Sequence, residues 1–182
     1  MSEAKQVLLC GLGGQGVVLA GALLGSAGFR QGLQVSGTSS YGSAARGGEC
    51  RSEVVLSGEA IAFPYVTKAD VLVAFSQPAY NRYLGWTASP DGIVFYDDSQ
   101  VKPDASAVQR HVAVPALQAT EHALGASLGA NIVMLAAVVV ATGLVSAEAL
   151  TAAVDEGSPP RFRDLNMRAV ELGVRLGHDV SL

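Results

Sequence analysis

The sequence predicts an α/β fold of three Rossmann-like layers, with a mostly parallel sheet and an antiparallel β-hairpin near residues 49–63. Three observations carry that expectation. A strand-length apolar run, a glycine-rich loop and a helix-length apolar stretch follow one another at the start of the chain. Further apolar runs of strand length then alternate with segments of helix length. One stretch, residues 49–56, alternates with a period of two, as a strand with one wet face does. The length of 182 residues suits one domain, so residues 1–182 are read as a single unit.

The elements follow in order. Gln6–Cys10 is a β-rich run that meets the glycine loop Gly11–Gly16. The stretch from Val17 to Gln31 is helical, and Gly32 stands where a C-cap is expected. Leu33–Ser36 reads as a second strand, and the small, polar stretch Gly37–Gly48 as a loop. In Glu49–Leu56, Cys50, Ser52, Val54 and Leu56 share one face while Arg51, Glu53 and Val55 share the other. Ser57-Gly58 looks like a turn, with Ala60–Phe63 as the returning strand and Pro64 ending it. Val71–Ser76 and Gly92–Tyr96 are wholly apolar, the mark of central parallel strands. A short helix or loop, Gln77–Leu84, lies between them. His111–Val114 is a shorter strand. Helices are expected over Ala116–Leu124, Asn131–Thr142, Ser146–Val154 with Ser146 as N-cap, and Arg163–Gly173, followed by a tail, Val174–Leu182, that packs loosely or on a partner.

Composition excludes several classes. Only 15% of residues are charged while 49% are hydrophobic, against roughly 25% charged in ordinary soluble domains. That apolar excess points to surface buried against other chains. The longest apolar run, Ile132 to Val145, falls short of the roughly 20 residues a membrane span needs, so it is expected to be a buried helix and no membrane role is inferred. A net charge of −4 does not suggest a nucleic-acid surface. The N-terminus lacks the pattern of a signal peptide, which leads to a cytoplasmic expectation. Cys10 and Cys50 form no CxxC pair and cannot alone ligate a usual iron–sulfur cluster, so both are read as structural.

Gly11, Gly13 and Gly16 satisfy GxGxxG between a strand and a helix, the context of a phosphate site at a helix N-terminus. Gly11 permits the tight turn, Gly13 and Gly14 let backbone N–H groups approach an anion, and Gly16 allows close helix–strand packing. A dinucleotide site also wants an acid about 20 residues further on. No Asp or Glu lies between Glu3 and Glu49, and Arg30 sits in the helix rather than at the strand end. NAD(P) is therefore disfavoured. A phosphate site for another ligand and a purely structural turn both stay open. In the second loop, Arg46 among small residues suits phosphate or carboxylate pairing, with a surface salt bridge as the plainer alternative. His111, His122 and His178 are scattered, and Asp97-Asp98 follow a strand end, where α/β folds place ligands, but are read as a solvated turn.

Five segments carry a resemblance: GLGGQGVVLAG at residues 11–21, SYGSAARGGECRSEVVLS at 40–57, ADVLVAFSQPA at 69–79, ANIVMLAAVVVATGLVS at 130–146 and LNMRAVELG at 165–173. Together they cover nearly the whole chain in order. The sequence resembles the γ subunit of the 2-oxoacid:ferredoxin (or other acceptor) oxidoreductases, which act on pyruvate, 2-oxoglutarate, ketoisovalerate, indolepyruvate or phenylglyoxylate. The resemblance implies a subunit that does no bond-making itself. It implies contact with coenzyme A (CoA) as substrate. Thiamine diphosphate, Mg and 4Fe-4S clusters are implied on partner subunits of α, β and δ type, with ferredoxin or a flavin/NAD subunit as acceptor. Against CoA it sets Gly11, Gly13, Gly14, Gln15 and Gly16, then Ser40, Tyr41, Gly42, Arg46 and Gly47, and finally Asn131. Asn131 also has a plainer reading as a helix N-cap. Departures from the family pattern fall in the second loop, where Arg46 is the only basic residue, and in the short segment Asp155–Asp164. A non-catalytic assembly subunit with an empty glycine loop, and a free-standing NAD(P)-dependent dehydrogenase, are the competing readings.

Overall fold

The computed structural model describes residues 4–42 and 47–180. Six strands form one sheet in the order β2-β3-β1-β4-β5-β6. They are β1 (Lys5–Leu12), β2 (Gln34–Tyr41), β3 (Glu49–Ser57), β4 (Val71–Ala74), β5 (Ile93–Asp97) and β6 (Arg110–Val114). β1, β4, β5 and β6 are parallel to their neighbours in that half of the sheet, whereas β3 runs antiparallel to both β1 and β2. The helices are α1 (Val17–Arg30), α2 (Gln77–Tyr83), α3 (Ala116–Leu124), α4 (Ala130–Thr142), α5 (Ala147–Gly157) and α6 (Arg163–Asp179).

Alternation along the strands divides the core into two unequal parts. Val7, Leu9, Val71, Val73 and Phe95 face the thick side, where α1, α4, α5 and α6 pack. Leu8, Cys10, Leu72, Ala74 and Val94 face the thin side, closed by Tyr80 and Tyr83 of α2. Both faces of the central strands are therefore covered, which explains their unbroken apolar runs. α4 lies among α1, α3, α5 and α6, with every residue from Asn131 to Val139 buried. That position accounts for the longest apolar run in the sequence, and no helix among the described residues is long and apolar enough to cross a membrane. α6 comes close enough to α4 only because Gly173 lacks a side chain: a Cβ there would lie 2.7 Å from the Ala136 Cβ and collide with the Val133 carbonyl oxygen.

The α/β expectation holds, and four local expectations change. β2 continues to Tyr41, well past Ser36, because it pairs with β3 in register from Gln34↔Ser57 to Tyr41↔Cys50. Tertiary pairing overrides the weak strand preference of Gly37–Ser40. The antiparallel hairpin is thus β2–β3, and residues 60–63 form no strand. β3 has no wet face. It is an interior strand, and Glu53 is only 5% exposed, with its carboxylate accepting the Val66 amide (3.0 Å) and lying 3.0 Å from Arg51 Nε. The C-terminal segment expected to be a loose tail continues α6 to Asp179, where Gly177 packs against Val140 and the Ala137 backbone. Ser146 caps α5 as expected, its Oγ accepting the Ala149 amide at 3.1 Å.

Overpacking at the α4–α6 crossing gives a direct check. Gly173→Ala is expected to destabilise the chain by about 1–3 kcal/mol, since backbone cannot yield as a side chain would. Chemical denaturation reads this as a lower midpoint at unchanged slope.

Candidate functional site

The glycine loop is built by two glycines with positive φ, Gly14 (102°) and Gly16 (74°), a region that L side chains rarely enter. Gly16 is the N-cap of α1, and no side chain caps that helix. Gln15 between them is a strut. Its Oε1 accepts the Leu12 amide (2.7 Å) and its Nε2 donates to the Phe75 carbonyl (2.9 Å), which joins the end of β1 to the end of β4. Gly11 is a strand residue rather than a turn residue. Its lack of a side chain matters because a Cβ would stand 2.6 Å from Gln15 Oε1.

The second motif folds onto the first. The Gly13 amide donates to the Gly48 carbonyl at 2.7 Å, and the Gly47 amide approaches the Gly13 carbonyl at 3.4 Å. Gly13 therefore has no N–H to offer an anion, contrary to expectation. Gly42 closes the base of the second loop by donating to the Glu49 carbonyl (2.7 Å). Ser40 and Tyr41 end β2 and are exposed, and Arg46 lies outside the described residues. Asn131 is not the N-cap of α4, a place taken by Gly129 in the left-handed conformation. Its Nδ2 donates to the Gly16 carbonyl at 3.1 Å, and a Cβ at Gly16 would be 2.5 Å from that nitrogen.

The N-termini of α1 and α4 thus meet across a cavity of about 490 Å³ at the carboxyl ends of β1, β4 and β5. Open α/β sheets bind ligands in this position. Gly14, Gln15, Gly16 and Asn131 line it, as do Phe75 and Asp97. Asp97 is a correction: it is buried, not solvated, while Asp98 is exposed. Its Oδ1 accepts the Ser99 amide (3.0 Å) and hydroxyl (2.5 Å), and its Oδ2 accepts the Leu117 amide (2.8 Å), so it ties the end of β5 to the start of α3. Among the described lining residues the charged ones are Asp97 and Glu121, both acidic. Leu117 and Glu121 belong to no motif, and Phe75, inside the segment 69–79, reads only as a strand residue, so sequence reasoning missed all three as site residues. Asp97 alone carried a signal, its place at a strand end.

A polar network supports the second loop from the thin side of the sheet. Glu49, the first residue of β3, accepts a short hydrogen bond from the Tyr83 hydroxyl and pairs with Arg82 at 2.9 Å. The Arg51 guanidinium stacks 4.9 Å from the Trp86 ring centroid. Burial and the bond to Glu49 push the Tyr83 phenol above its ordinary range, with Arg51 pulling the other way. Burial raises the Cys10 and Cys50 thiols as well, which suits structural rather than reactive cysteines. Among the described residues no three His, Cys, Asp or Glu side chains gather as a metal site.

Fold and cleft together define a Rossmann-like domain in which two helix N-termini face one cavity. Residues 6–176 match the pyruvate ferredoxin/flavodoxin oxidoreductase family, and the chain belongs to that family. It is 35% identical over 178 residues to the 2-oxoglutarate synthase subunit KorC of Methanothermobacter thermautotrophicus, covering 94% of each chain. The crystal structure of the keto/oxoacid ferredoxin oxidoreductase γ subunit from Geobacter sulfurreducens superposes with a TM-score of 0.84 at 31% identity, over 96% of this chain and 99% of that one. The same fold recurs in 2-oxoglutarate:ferredoxin oxidoreductase from Magnetococcus marinus (TM-score 0.87, 21% identity), where this chain spans 32% of the larger one.

The Tyr83–Glu49 bond has a signature in alkali. A phenol raised in the folded state contributes stability that is intact below its ordinary pKa of about 10 and is lost as pH rises through the folded value. The denaturation midpoint is expected to fall above about pH 10, and Tyr83→Phe should flatten that fall. An unchanged profile in Tyr83→Phe would remove the phenol from the account.

Proposed function

We propose that this chain is the γ-type subunit of a thiamine-dependent 2-oxoacid:acceptor oxidoreductase and that its glycine-loop cleft holds the phosphates of CoA. The observation that carries the reading is the convergence of two helix N-termini, α1 and α4, both capped by left-handed glycines without side-chain caps, on one cavity. Unpaired N–H groups and the positive ends of two helix dipoles favour an anion there. The structure of the Magnetococcus enzyme, which shares the fold, has 2-oxoglutarate, CoA and succinyl-CoA bound, and this supports CoA as the ligand here.

In this reading Gly14 and Gly16 face the phosphates with their backbone, while Gln15 and Asn131 hold the two helix ends in place. Gly47 and Gly48 seat the second loop on Gly13, and Arg46 supplies the positive charge that the acidic lining lacks. Ser40, Tyr41 and Gly42, where β2 leads into the second loop, are further contacts to the same ligand in this reading. The chain contributes positioning: it fixes the nucleotide end of CoA so that the thiol reaches a reacting centre on a neighbour. Thiamine diphosphate with Mg, and 4Fe-4S clusters, belong to partner subunits of α, β and δ type and supply the decarboxylation and electron transfer. Ferredoxin or a flavin/NAD subunit accepts the electrons, and the complex works in the cytoplasm. The 2-oxo acid is bound by those partners.

Gly14 offers a charge test with the backbone held constant. Its φ of 102° disfavours side chains, Asp and Asn among the least, and a Cβ there meets nothing within 4 Å. Gly14→Asp and Gly14→Asn should therefore differ mainly in charge. In the assembled complex, Gly14→Asp is expected to raise KM for CoA by about tenfold more than Gly14→Asn does, the effect of about 1.4 kcal/mol of repulsion. KM for the 2-oxo acid should stay put in both. Equal effects of Asp and Asn would remove the phosphates from this cleft.

A further inference from the structure

The two edges of the sheet are unlike. β6 is five residues long, carries Arg110 and His111, and runs into Pro115. Short length, charge and proline are the usual guards of an exposed edge. β2 has none of them. It is eight residues long, without charge or proline, and pairs with β3 in one unbroken register.

The free hydrogen-bonding groups of β2 follow from that register. The Gly42 amide donates to the Glu49 carbonyl one step beyond Tyr41↔Cys50. Alternation along an antiparallel ladder then turns the backbone of residues 34, 36, 38 and 40 toward β3, and that of Val35, Gly37, Ser39 and Tyr41 outward. Ser52 Oγ donates to the Thr38 carbonyl from the β3 side, in agreement. Among the described residues nothing bonds the backbone of the four outward positions.

Apolar surface gathers on both sides of this edge. On the thick side Gly25 and Gly28 of α1 lie against Val35, and Phe29, four residues after Gly25, stands on the same flank. On the thin side the Ser36 hydroxyl donates to the Pro64 carbonyl (2.9 Å), which holds Phe63 and Tyr65 beside the strand. Phe29, Tyr41, Phe63 and Tyr65 are the exposed phenylalanines and tyrosines among the described residues, and all four border β2.

We propose that β2 pairs with β2 of a second copy of this chain, antiparallel and about a twofold axis at Thr38, so that one sheet runs through both copies. That register sets Val35 opposite Tyr41 and Gly37 opposite Ser39 of the second copy, and it engages all four outward positions. A twofold brings every group near the axis against its own image. The small, uncharged residues from Ser36 to Ser40 meet that condition, which a different partner would not impose. The shared strand is about 26 Å long, and a packed layer adds about 10 Å on either face. Such a strip is on the order of the 800 Å² per partner that a standard interface buries. The axis stands perpendicular to the sheet, so both α1 helices lie on one face and the two glycine-loop clefts open at opposite ends.

Sedimentation equilibrium of the full chain is expected to give twice the monomer mass. Thr38→Cys is expected to join two copies through a disulfide under mild oxidation, both alone and in the assembled complex. Opposed residues of a non-hydrogen-bonded pair stand about 4.5 Å apart at Cα, within disulfide reach. The native Cys10 and Cys50 are buried. Ser36→Cys is the control, since its two copies stand about 13 Å apart in this register and do not link. Gly37→Pro removes an outward amide and leaves the β3 ladder whole, so it is expected to weaken the dimer by about tenfold or more. Three results overturn the proposal: a dimer that Gly37→Pro leaves intact, linkage as ready in Ser36→Cys as in Thr38→Cys, or a chain that is monomeric alone and unlinked in the complex. The last of these gives the edge to a partner subunit. Should Gly37→Pro fail to fold, the two cysteine variants decide.

Discussion

One side chain sets the geometry on which the cleft depends. Gln15 bridges the last amide of β1 and the Phe75 carbonyl after β4, two strand ends that would otherwise meet only through the sheet. The bridge fits because Gly11 gives it room. With Gln15 fixed, its neighbours Gly14 and Gly16 must turn through left-handed conformations, and α1 starts with its amides directed at the cavity. Removing both bonds would leave two backbone groups unpaired at about 1–3 kcal/mol each. The glutamine in this motif therefore holds the loop with both ends of its amide.

Two further ties extend that order outward. Gly13 binds the Gly47-Gly48 pair, so motifs some thirty residues apart in the chain become one surface. Asn131 binds Gly16, so the N-terminus of α4 is set by the loop that starts α1. Behind them the thick helical layer, with α4 buried at its centre, provides a rigid wall. The thin layer holds β3 through Glu49, Tyr83 and Arg82. Low charge in the composition has two causes: most of the apolar content is buried, in α4 and its neighbours and on the thin side of the sheet, and further apolar side chains are exposed, among them Leu19, Phe29, Tyr41, Phe63, Tyr65 and Leu128. Exposed aromatics of this kind suit a subunit that meets others.

Much of the fold was legible because local signals agreed with the final structure. Val71–Ala74 and Ile93–Asp97 announce central strands by being apolar on both faces, and Ser146 announces its helix by its hydroxyl. What was hidden depended on contacts distant in sequence. β2 continues through Gly37–Ser40 only because β3 lies beside it, and the alternation of β3 suggested solvent where Glu53 is instead buried, beside Arg51 and accepting the Val66 amide. In the site, the motif residues Gly14, Gln15, Gly16 and Asn131 do converge, but their bonds to Leu12, Phe75 and Gly16 follow from the fold and not from spacing. Gly13 shows the limit of motif reading, since its amide is spent inside the protein.

The account stands most directly on amide hydrogen exchange in the assembled complex, measured with and without CoA, for the wild-type chain and for Gln15→Ala. It predicts that CoA slows exchange at residues 14–19 and 130–132 in the wild type. It also predicts that Gln15→Ala speeds exchange at residues 12–16 before ligand is added and loses most of the CoA-dependent protection. Protection by CoA confined to other parts of the chain, or undiminished in Gln15→Ala, would contradict it.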